Sequence, residues 1–201
     1  AIEIAMSIDP KVICYGLGAT DPKGIFGTTL GLEEKFGSER VFDMPTSENA
    51  MTGVAIGAAV GGYKTIMTHQ RLDFFLLAMD QLVNSAAKWN YMFAGTMKVP
   101  LVIRLIIGKG WGQGPQHSKS LHSWFSNIPG ISVVYPSSPF EAKGLIMSSI
   151  FSNFPSIFFE SRSLHSMKEN VPVKPYFIDP TKAFVRKTGK DLTIVAFGPS
   201  V

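Results

Sequence analysis

The chain has 201 residues, of which 45% are hydrophobic and 17% are charged. This composition is that of a globular protein and excludes a disordered chain. The formal net charge of +4 comes from basic residues scattered along the chain, so no basic stripe is available for nucleic acid. The longest apolar run, Leu101 to Ile107, is interrupted by Arg104 and is too short to span a bilayer. The length allows one full α/β domain and a short remainder.

The single cysteine, Cys14, excludes an internal disulfide and a metal cluster built on cysteines. It favours a reducing compartment, and we expect a cytoplasmic location. The first twelve residues carry no basic region ahead of an apolar stretch, so they do not form a secretory signal. They are typical of a helix end that runs into a strand, and we expect the N-terminal helix to be truncated.

Short runs rich in β-branched residues alternate with longer helical patterns along the chain. The alternation predicts an α/β fold, a doubly wound and mainly parallel sheet with helices on both faces. In chain order, the predicted strands are Lys11 to Tyr15, Arg40 to Asp43, Lys64 to Thr68, Leu101 to Ile107, Ile131 to Tyr135 and Ser156 to Glu160.

The segments between these strands predict four helices. Two are short or rich in small residues, Leu32 to Phe36 and Ser47 to Ala59. The longest helix is predicted over Leu72 to Phe93, with apolar residues at three- and four-residue spacing on one face. A further apolar helical face runs from Phe140 to Ile150.

The composition changes after the last predicted strand. We expect residues 1–165 to form the main domain and the proline-rich residues 166–182 to form a linker. The segment DLTIVAFGPSV then predicts the first strand of a further α/β unit, of which residues 183–201 are the start.

Two glycine-rich loops follow predicted strands, GLGATDPKGIFGTT after the first and GKGWGQGPQHS after PLVIRLII. In open α/β sheets, ligands bind outside the carboxyl ends of the strands. Both loops are therefore expected at a ligand site.

The chain resembles the beta subunit of thiamine-diphosphate-dependent 2-oxo acid dehydrogenases of the pyruvate, branched-chain and acetoin type, within the transketolase-like superfamily. The resemblance rests on KFGSERVFDMPTSENAMTGVAIGAA, DFFLLAMDQLVNSAAKWNYM, GWGQGPQHSKSLHSWFSNIPGISVVYPSSPFEAKGLI and PSIFFE. It implies that residues 1–165 are a pyrimidine-binding domain, and that residues 183–201 begin a transketolase-type C-terminal domain.

The resemblance implies a role for four residues. Glu48 matches the glutamate that hydrogen-bonds the aminopyrimidine ring, and Phe74 matches the aromatic residue that stacks on it. Thr46 is assigned to the cofactor site beside them, and His117 matches the histidine near the reacting carbon. The local sequence alone allows simpler interpretations: an acidic residue in the first turn of a helix for Glu48, a core residue for Phe74 and a surface loop residue for His117.

The resemblance gives less support for a role of the other polar residues in the site. The segment THQRLDF, with His69, Gln70 and Arg71, departs from many relatives and is expected to line either the site or a subunit interface. His122 is interpreted as a helix-surface histidine rather than a second pocket residue, and His165 has no motif support. Leu17 stands where many relatives carry an acid, which puts communication between paired active sites in doubt.

The resemblance also implies which groups lie outside this chain. The family's Gly-Asp-Gly motif for Mg²⁺ and the diphosphate does not occur in the sequence. An alpha subunit is therefore expected to supply it, with the cofactor between the subunits. An α2β2 heterotetramer is expected, with self-association through Leu72 to Phe93, and a lipoyl acyltransferase is a further expected partner.

Some relatives hold a structural K⁺ ion on carbonyls matching Leu101, Ser149, Ser152 and Phe154.

The resemblance thus implies a decarboxylating dehydrogenase subunit that is active only with its partner and transfers the acyl unit to lipoamide. Two alternatives remain open, a transketolase-like two-carbon transferase subunit and a noncatalytic assembly subunit.

Overall fold

A computed structural model describes residues 1–21, 23, 25–109 and 112–201. Within these residues, six parallel strands form one sheet in the order β2-β1-β3-β4-β6-β5. The strands are β1 (Val12–Gly16), β2 (Val41–Asp43), β3 (Lys64–His69), β4 (Leu101–Ile107), β5 (Ser132–Val134) and β6 (Ser156–Ser161). Each lies within about a residue of its predicted position, as boundary assignments allow.

Helices cover both faces of this sheet, so the predicted doubly wound fold is confirmed. The α-helices are α1 (Ile2–Ile8), α2 (Leu32–Phe36), α3 (Glu48–Val60), α4 (Leu72–Phe75), α5 (Trp89–Met92), α6 (His122–Ser126) and α7 (Pro139–Ile150). On one face, α3 and the segment from α4 to α6 pack on the odd-numbered residues of β3 and β4. On the other face, α1, α2 and α7 pack on residues such as Ile66 and Val102.

The central strands are buried along their whole length because both of their faces are covered. Every residue of β1 and of β4 is buried, including Arg104 in the middle of β4. Such strands are mainly apolar rather than alternating, which is typical of parallel sheets between helical layers. The apolar runs in the sequence therefore indicated the sheet directly.

The prediction of one regular helix over Leu72 to Phe93 is wrong. After α4, the chain forms a 3₁₀ turn at Leu76–Ala78 and a π-helical segment at Gln81–Ala86 before α5 begins. The longest α-helix is instead α3, with 13 residues. Buried Phe75, Leu82 and Ala86 keep one face toward the core. An apolar pattern specifies which face is buried but not the hydrogen-bonding period of the backbone, so the pattern did not reveal the change.

The end of β1 lies very close to β3. A Cβ atom added at Gly16 would stand 2.1 Å from the carbonyl oxygen of Thr68, so only glycine fits there. Just before it, Tyr15 stacks on Phe42, with centroids 5.1 Å apart, and donates a 3.1 Å hydrogen bond to the carbonyl of Met51 in α3. These contacts hold the start of α3 against the carboxyl ends of β1 and β2.

Residues after β6 pack on α7. Tyr176 stacks on Phe140, with ring centroids 4.8 Å apart, and its hydroxyl donates to the carbonyl of the same residue. Residues 191–197 have no sheet partner within the described residues, so the first strand of a further domain stays a prediction. No helix in the described part of the chain is long and apolar enough to cross a membrane.

Candidate active site

The predicted site residues all lie in segments that follow the carboxyl ends of strands. Glu48 follows β2, Phe74 follows β3, and His117 follows β4 in the second glycine-rich loop. Four residues of the two glycine-rich loops, Pro22, Gly24, Gly110 and Trp111, lie outside the described residues. Since all strands are parallel, their carboxyl ends share one edge of the sheet, the carboxyl edge, where such folds bind ligands.

Glu48 is the first residue of α3, directly after Ser47 at the N-cap. The Ser47 side chain makes no capping hydrogen bond, while the Glu48 side chain is buried, with 7% of the residue exposed. No hydrogen bond to its carboxylate is present among the described residues; only its backbone carbonyl accepts, from Thr52. A carboxylate on a buried residue that accepts no hydrogen bond from the described residues is open to a donor from a ligand, and the positive end of α3 favours its charge.

Phe74 and His117 meet directly. Their rings pack edge to face, with centroids 5.3 Å apart and planes at 75°. Both residues are partly buried, whereas the neighbouring Phe75 is fully buried in the core. The structure therefore separates the two phenylalanines as the family resemblance implies: Phe75 packs inward, and Phe74 remains at the carboxyl edge beside the predicted histidine.

Two polar contacts hold the segment after β3 to the loop after β4. Lys119 donates to the Asp73 carboxylate with its side chain, at 3.1 Å, and with its backbone N–H, at 3.3 Å. Arg71 donates to the Gln113 side-chain oxygen. Sequence reasoning missed Asp73, Gln113 and Lys119; the only signal was their position within four residues of Phe74 or His117.

A third link joins α3 to the segment that carries Phe74. Asn49, next to Glu48, donates to the carbonyl of Leu77 at 3.4 Å and accepts from the side chain of Gln81 at 3.2 Å. These bonds place Glu48 and Phe74 on neighbouring elements. Thr46 is exposed ahead of the α3 N-cap.

The three other histidines have different surroundings. His69, at the end of β3, is buried, and neither ring nitrogen has a hydrogen-bond partner among the described residues; this burial lowers its pKa to about 4. His122 is half-buried, with its ring near those of Tyr135 and Phe197, so its interpretation as a surface histidine is wrong. His165 follows β6, and burial above all lowers its pKa.

One cavity lies apart from the predicted residues. It has a volume of about 500 Å³, lies on the other face of the sheet between α1, α7, the middle of β4 and the end of β6, and its walls include none of Glu48, Phe74 and His117. Among the described residues, no group of three or more His, Cys, Asp or Glu side chains is placed to hold a metal ion. A partner that completes the site, with its Mg²⁺, stays a prediction.

The predicted K⁺ ligands lie at the opposite edge of the sheet. Leu101 begins β4, and Ser149, Ser152 and Phe154 lie at the end of α7 and in the loop after it. The Ser149 carbonyl already accepts a 3.2 Å bond from the Ser152 backbone N–H. This arrangement leaves the K⁺ site a prediction.

The class of the protein is shown by its match to a known domain family. Residues 1–167 match the family model for the transketolase pyrimidine-binding domain, and the chain belongs to that family. The resemblance found in the sequence is thereby confirmed at the level of the domain.

Curated relatives narrow the class further. The chain is 40% identical over 98% of its length to the beta subunit of acetoin:2,6-dichlorophenolindophenol oxidoreductase from Cupriavidus necator, of which it covers 61%. It is 38% identical over its whole length to the mitochondrial pyruvate dehydrogenase E1 component subunit beta-1 of Arabidopsis thaliana, of which it covers 56%. The chain thus spans a little over half the length of these relatives.

Solved structures agree with the fold. A split-gene transketolase, an inactive β4 tetramer, superposes with a TM-score of 0.76 over 98% of this chain and 60% of that chain, at 21% identity. A transketolase from Leishmania mexicana gives a TM-score of 0.62 over 80% of this chain and 24% of that chain, at 16% identity. At these identities the likeness shows the fold alone.

Proposed function

We propose that this chain is the beta subunit of a thiamine-diphosphate-dependent 2-oxo acid dehydrogenase and supplies the half of the active site that activates the aminopyrimidine. The observation that carries the proposal is Glu48, a residue only 7% exposed at the start of α3, whose carboxylate accepts no hydrogen bond from the described residues. An aminopyrimidine ring would give this group its missing partner. The edge-to-face pair of Phe74 and His117 lies on the adjacent segments.

Each residue then has one task. Glu48 shares a proton with the pyrimidine ring nitrogen, and Phe74, with Thr46 nearby, orients the ring. His117 holds the substrate carboxylate or moves a proton at the reacting carbon. Thiamine diphosphate, when bound, would supply a nucleophilic carbon and a thiazolium ring able to take up the electrons released by decarboxylation. The acyl unit passes to lipoamide on an acyltransferase partner.

The rest of the site belongs to other chains in this proposal. An alpha subunit holds the diphosphate and Mg²⁺, and the beta subunit pairs with itself in an α2β2 assembly. The end of the segment after β3 supports self-association, because Tyr91, Met92 and Phe93 expose large apolar surfaces. Buried Cys14, the single cysteine, supports a reducing compartment such as the cytoplasm.

The test is reconstitution. The full-length protein is coexpressed with its neighbouring subunit, and reduction of 2,6-dichlorophenolindophenol is followed with pyruvate, branched-chain 2-oxo acids and acetoin. We expect turnover that requires thiamine diphosphate and Mg²⁺, and weak or undetectable cofactor binding in calorimetry of the beta chain alone. Tight Mg²⁺-dependent binding by the beta chain alone contradicts the shared site. Two-carbon transfer between sugars without dye reduction favours the transketolase-like alternative, and cofactor binding without turnover favours an assembly role.

A further inference from the structure

The loop after β4, which carries His117, is tied to α4 by an ion pair. The Lys119 ammonium donates to the Asp73 carboxylate at 3.1 Å, and the backbone N–H of Lys119 donates to the same carboxylate oxygen at 3.3 Å. The ammonium also donates to the carbonyl of Gln116 at 3.4 Å. Because Gln116 precedes His117 and Lys119 follows it, these bonds hold the chain on both sides of the histidine.

The Asp73 carboxylate is the fixed end of this pair. Asp73 lies in the single turn of α4, and Leu72 and Phe75, which share one face of that turn, are fully buried in the core. Only 3% of the Asp73 side chain is exposed, compared with 38% of the Lys119 side chain. A carboxylate buried to this extent requires a charged or hydrogen-bonding partner. The core thus anchors α4 independently of the loop, and Asp73 presents a fixed negative charge to it.

The loop depends on this pair more than α4 does. Residues 112–116 are exposed, whereas residues 117–119, where the loop meets Asp73, are half-buried. The loop contains a 3₁₀ turn at Pro115–His117, and short turns of this kind have poor hydrogen-bond geometry. Loss of the pair should therefore displace His117, whereas Phe74, which lies in α4, should keep its place.

Such a displacement would change the contact between the rings of His117 and Phe74. These rings pack edge to face, with centroids 5.3 Å apart and planes at 75°. In the proposed function, Phe74 orients the aminopyrimidine ring and His117 acts at the reacting carbon. A misplacement of about 1 Å costs about a hundredfold in rate even where it originates away from the reacting atoms. The separation of these two rings is therefore the quantity that the ion pair controls.

We propose that Asp73 and Lys119 form a positioning pair for the reaction, which holds His117 at a set distance from Phe74 and so from the bound cofactor. Neither residue touches the substrate in this proposal, and both act through His117. The inference rests on the proposed function, because a fixed histidine has a catalytic purpose only if the chain takes part in turnover. It extends that function to two residues that no sequence motif indicated.

The position of His117 is measured without turnover. The full-length protein is labelled with ¹³C at histidine Cε1, and NMR spectra are recorded at about pH 9, where an ordinary histidine is neutral and a change of its charge does not move the signal. The His117 signal is identified by its absence in His117→Asn, and the shift caused by the Phe74 ring is measured with Phe74→Leu. Lys119→Met should move the His117 signal at least halfway toward its position in Phe74→Leu, because the two rings separate.

Two further variants control this measurement. Asp73→Asn keeps an oxygen for the Lys119 backbone N–H but removes the charge, so it should move the His117 signal in the same direction by a smaller amount. Lys64→Met is the matched control, since it breaks the half-buried Lys64–Asp9 pair at the start of β3 and should leave the signal in place. An unmoved signal in Lys119→Met and Asp73→Asn, or an equal shift in Lys64→Met, overturns the proposal.

Dye reduction by the reconstituted complex provides a second readout. Lys119→Met should lower kcat about tenfold or more, while KM and the Kd for thiamine diphosphate stay within about twofold, because Phe74 keeps its place. In a His117→Asn background, the same substitution should change kcat by less than about twofold, since no imidazole remains to be positioned. Equal losses of kcat in both backgrounds show that the pair stabilises the fold instead and overturn the proposal.

Failure of the proposed function gives a different result. A natural complex without turnover that depends on thiamine diphosphate refutes the proposed function, and the catalytic purpose of the pair falls with it even where the NMR shift is found. Turnover in the natural complex, together with an unmoved His117 signal in both variants, refutes the positioning pair alone.

Discussion

The Phe74 ring and the His117 imidazole pack edge to face, with centroids 5.3 Å apart, although they belong to segments that follow different strands. Phe75, one residue away, is fully buried and contacts Phe125 on the core side. Two adjacent residues of the same type therefore have separable roles. The difference allows the site and the core to be tested with matched substitutions.

Phe74→Ala should weaken thiamine diphosphate binding by the reconstituted complex roughly tenfold and change the free energy of unfolding only slightly, because its ring lies at the carboxyl edge. Phe75→Ala should cost about 3 to 5 kcal/mol of folding stability, as expected for a fully buried phenylalanine. Cofactor titration and urea unfolding of both variants measure the two effects. Equal losses of stability would show that Phe74 is a core residue.

Glu48→Gln preserves the shape of the side chain but cannot exchange a proton. We expect proton exchange at the thiazolium carbon, followed by NMR in the reconstituted complex, to slow by about a hundredfold to ten-thousandfold, the usual worth of acid–base assistance. Glu33→Gln, on an exposed residue of α2, is the control and should leave the exchange rate unchanged. Normal exchange in Glu48→Gln with cofactor fully bound would remove Glu48 from this role.

His69 should make stability depend on pH. Burial lowers its pKa in the folded state from 6.5 to about 4, so the unfolded state takes up the proton first. The contribution of neutral His69 to the free energy of unfolding is fully present above pH 6.5 and is lost as the pH falls toward 4. The loss is roughly 3 kcal/mol, at 1.36 kcal/mol per pH unit. Urea unfolding between pH 4 and 7.5 measures this dependence of the free energy of unfolding on pH.

His69→Leu is the matched variant for that measurement. It removes two buried nitrogens that have no partner in the described part of the chain, so it should raise the free energy of unfolding at pH 7 by about 1 to 3 kcal/mol. It should also flatten the pH dependence between 6.5 and 4. A variant that is less stable at pH 7 and equally sensitive to acid would show that His69 has a partner in solution.

The Arg104–Glu160 pair should be far more important for stability than an exposed pair. Glu160→Gln leaves the buried Arg104 guanidinium without its counterion and should cost about 3 to 5 kcal/mol. Glu3→Gln breaks the exposed Lys35–Glu3 pair and should have little effect. Replacing Arg104 and Glu160 together by Met and Leu should recover much of the loss, since no charge then remains buried. Denaturant unfolding of Glu160→Gln, Glu3→Gln and the double variant measures these three changes in the free energy of unfolding.

The sequence by itself determined the sheet and the identity of the domain. The strands could be located because each central strand is covered on both faces, so burial favours a mainly apolar run such as Leu101–Ile107, in which Arg104 is the one charged residue. The roles predicted for Glu48, Phe74 and His117 come from motifs that are contiguous in the chain. The order of residues within short segments was therefore sufficient to predict both the strands and these roles.

Only the tertiary structure decided the features that depend on contacts between distant segments. The change of helical period between Leu72 and Met92 keeps one face buried while altering the backbone, so the apolar spacing does not reveal it. The burial of His69 without a partner and the meeting of Arg71 with Arg162 over Phe26 bring together residues from separate connections of the sheet. The physical reason is that parallel strands align their carboxyl ends at one edge, and the neighbours of a side chain there are set by strand order rather than by position in the chain.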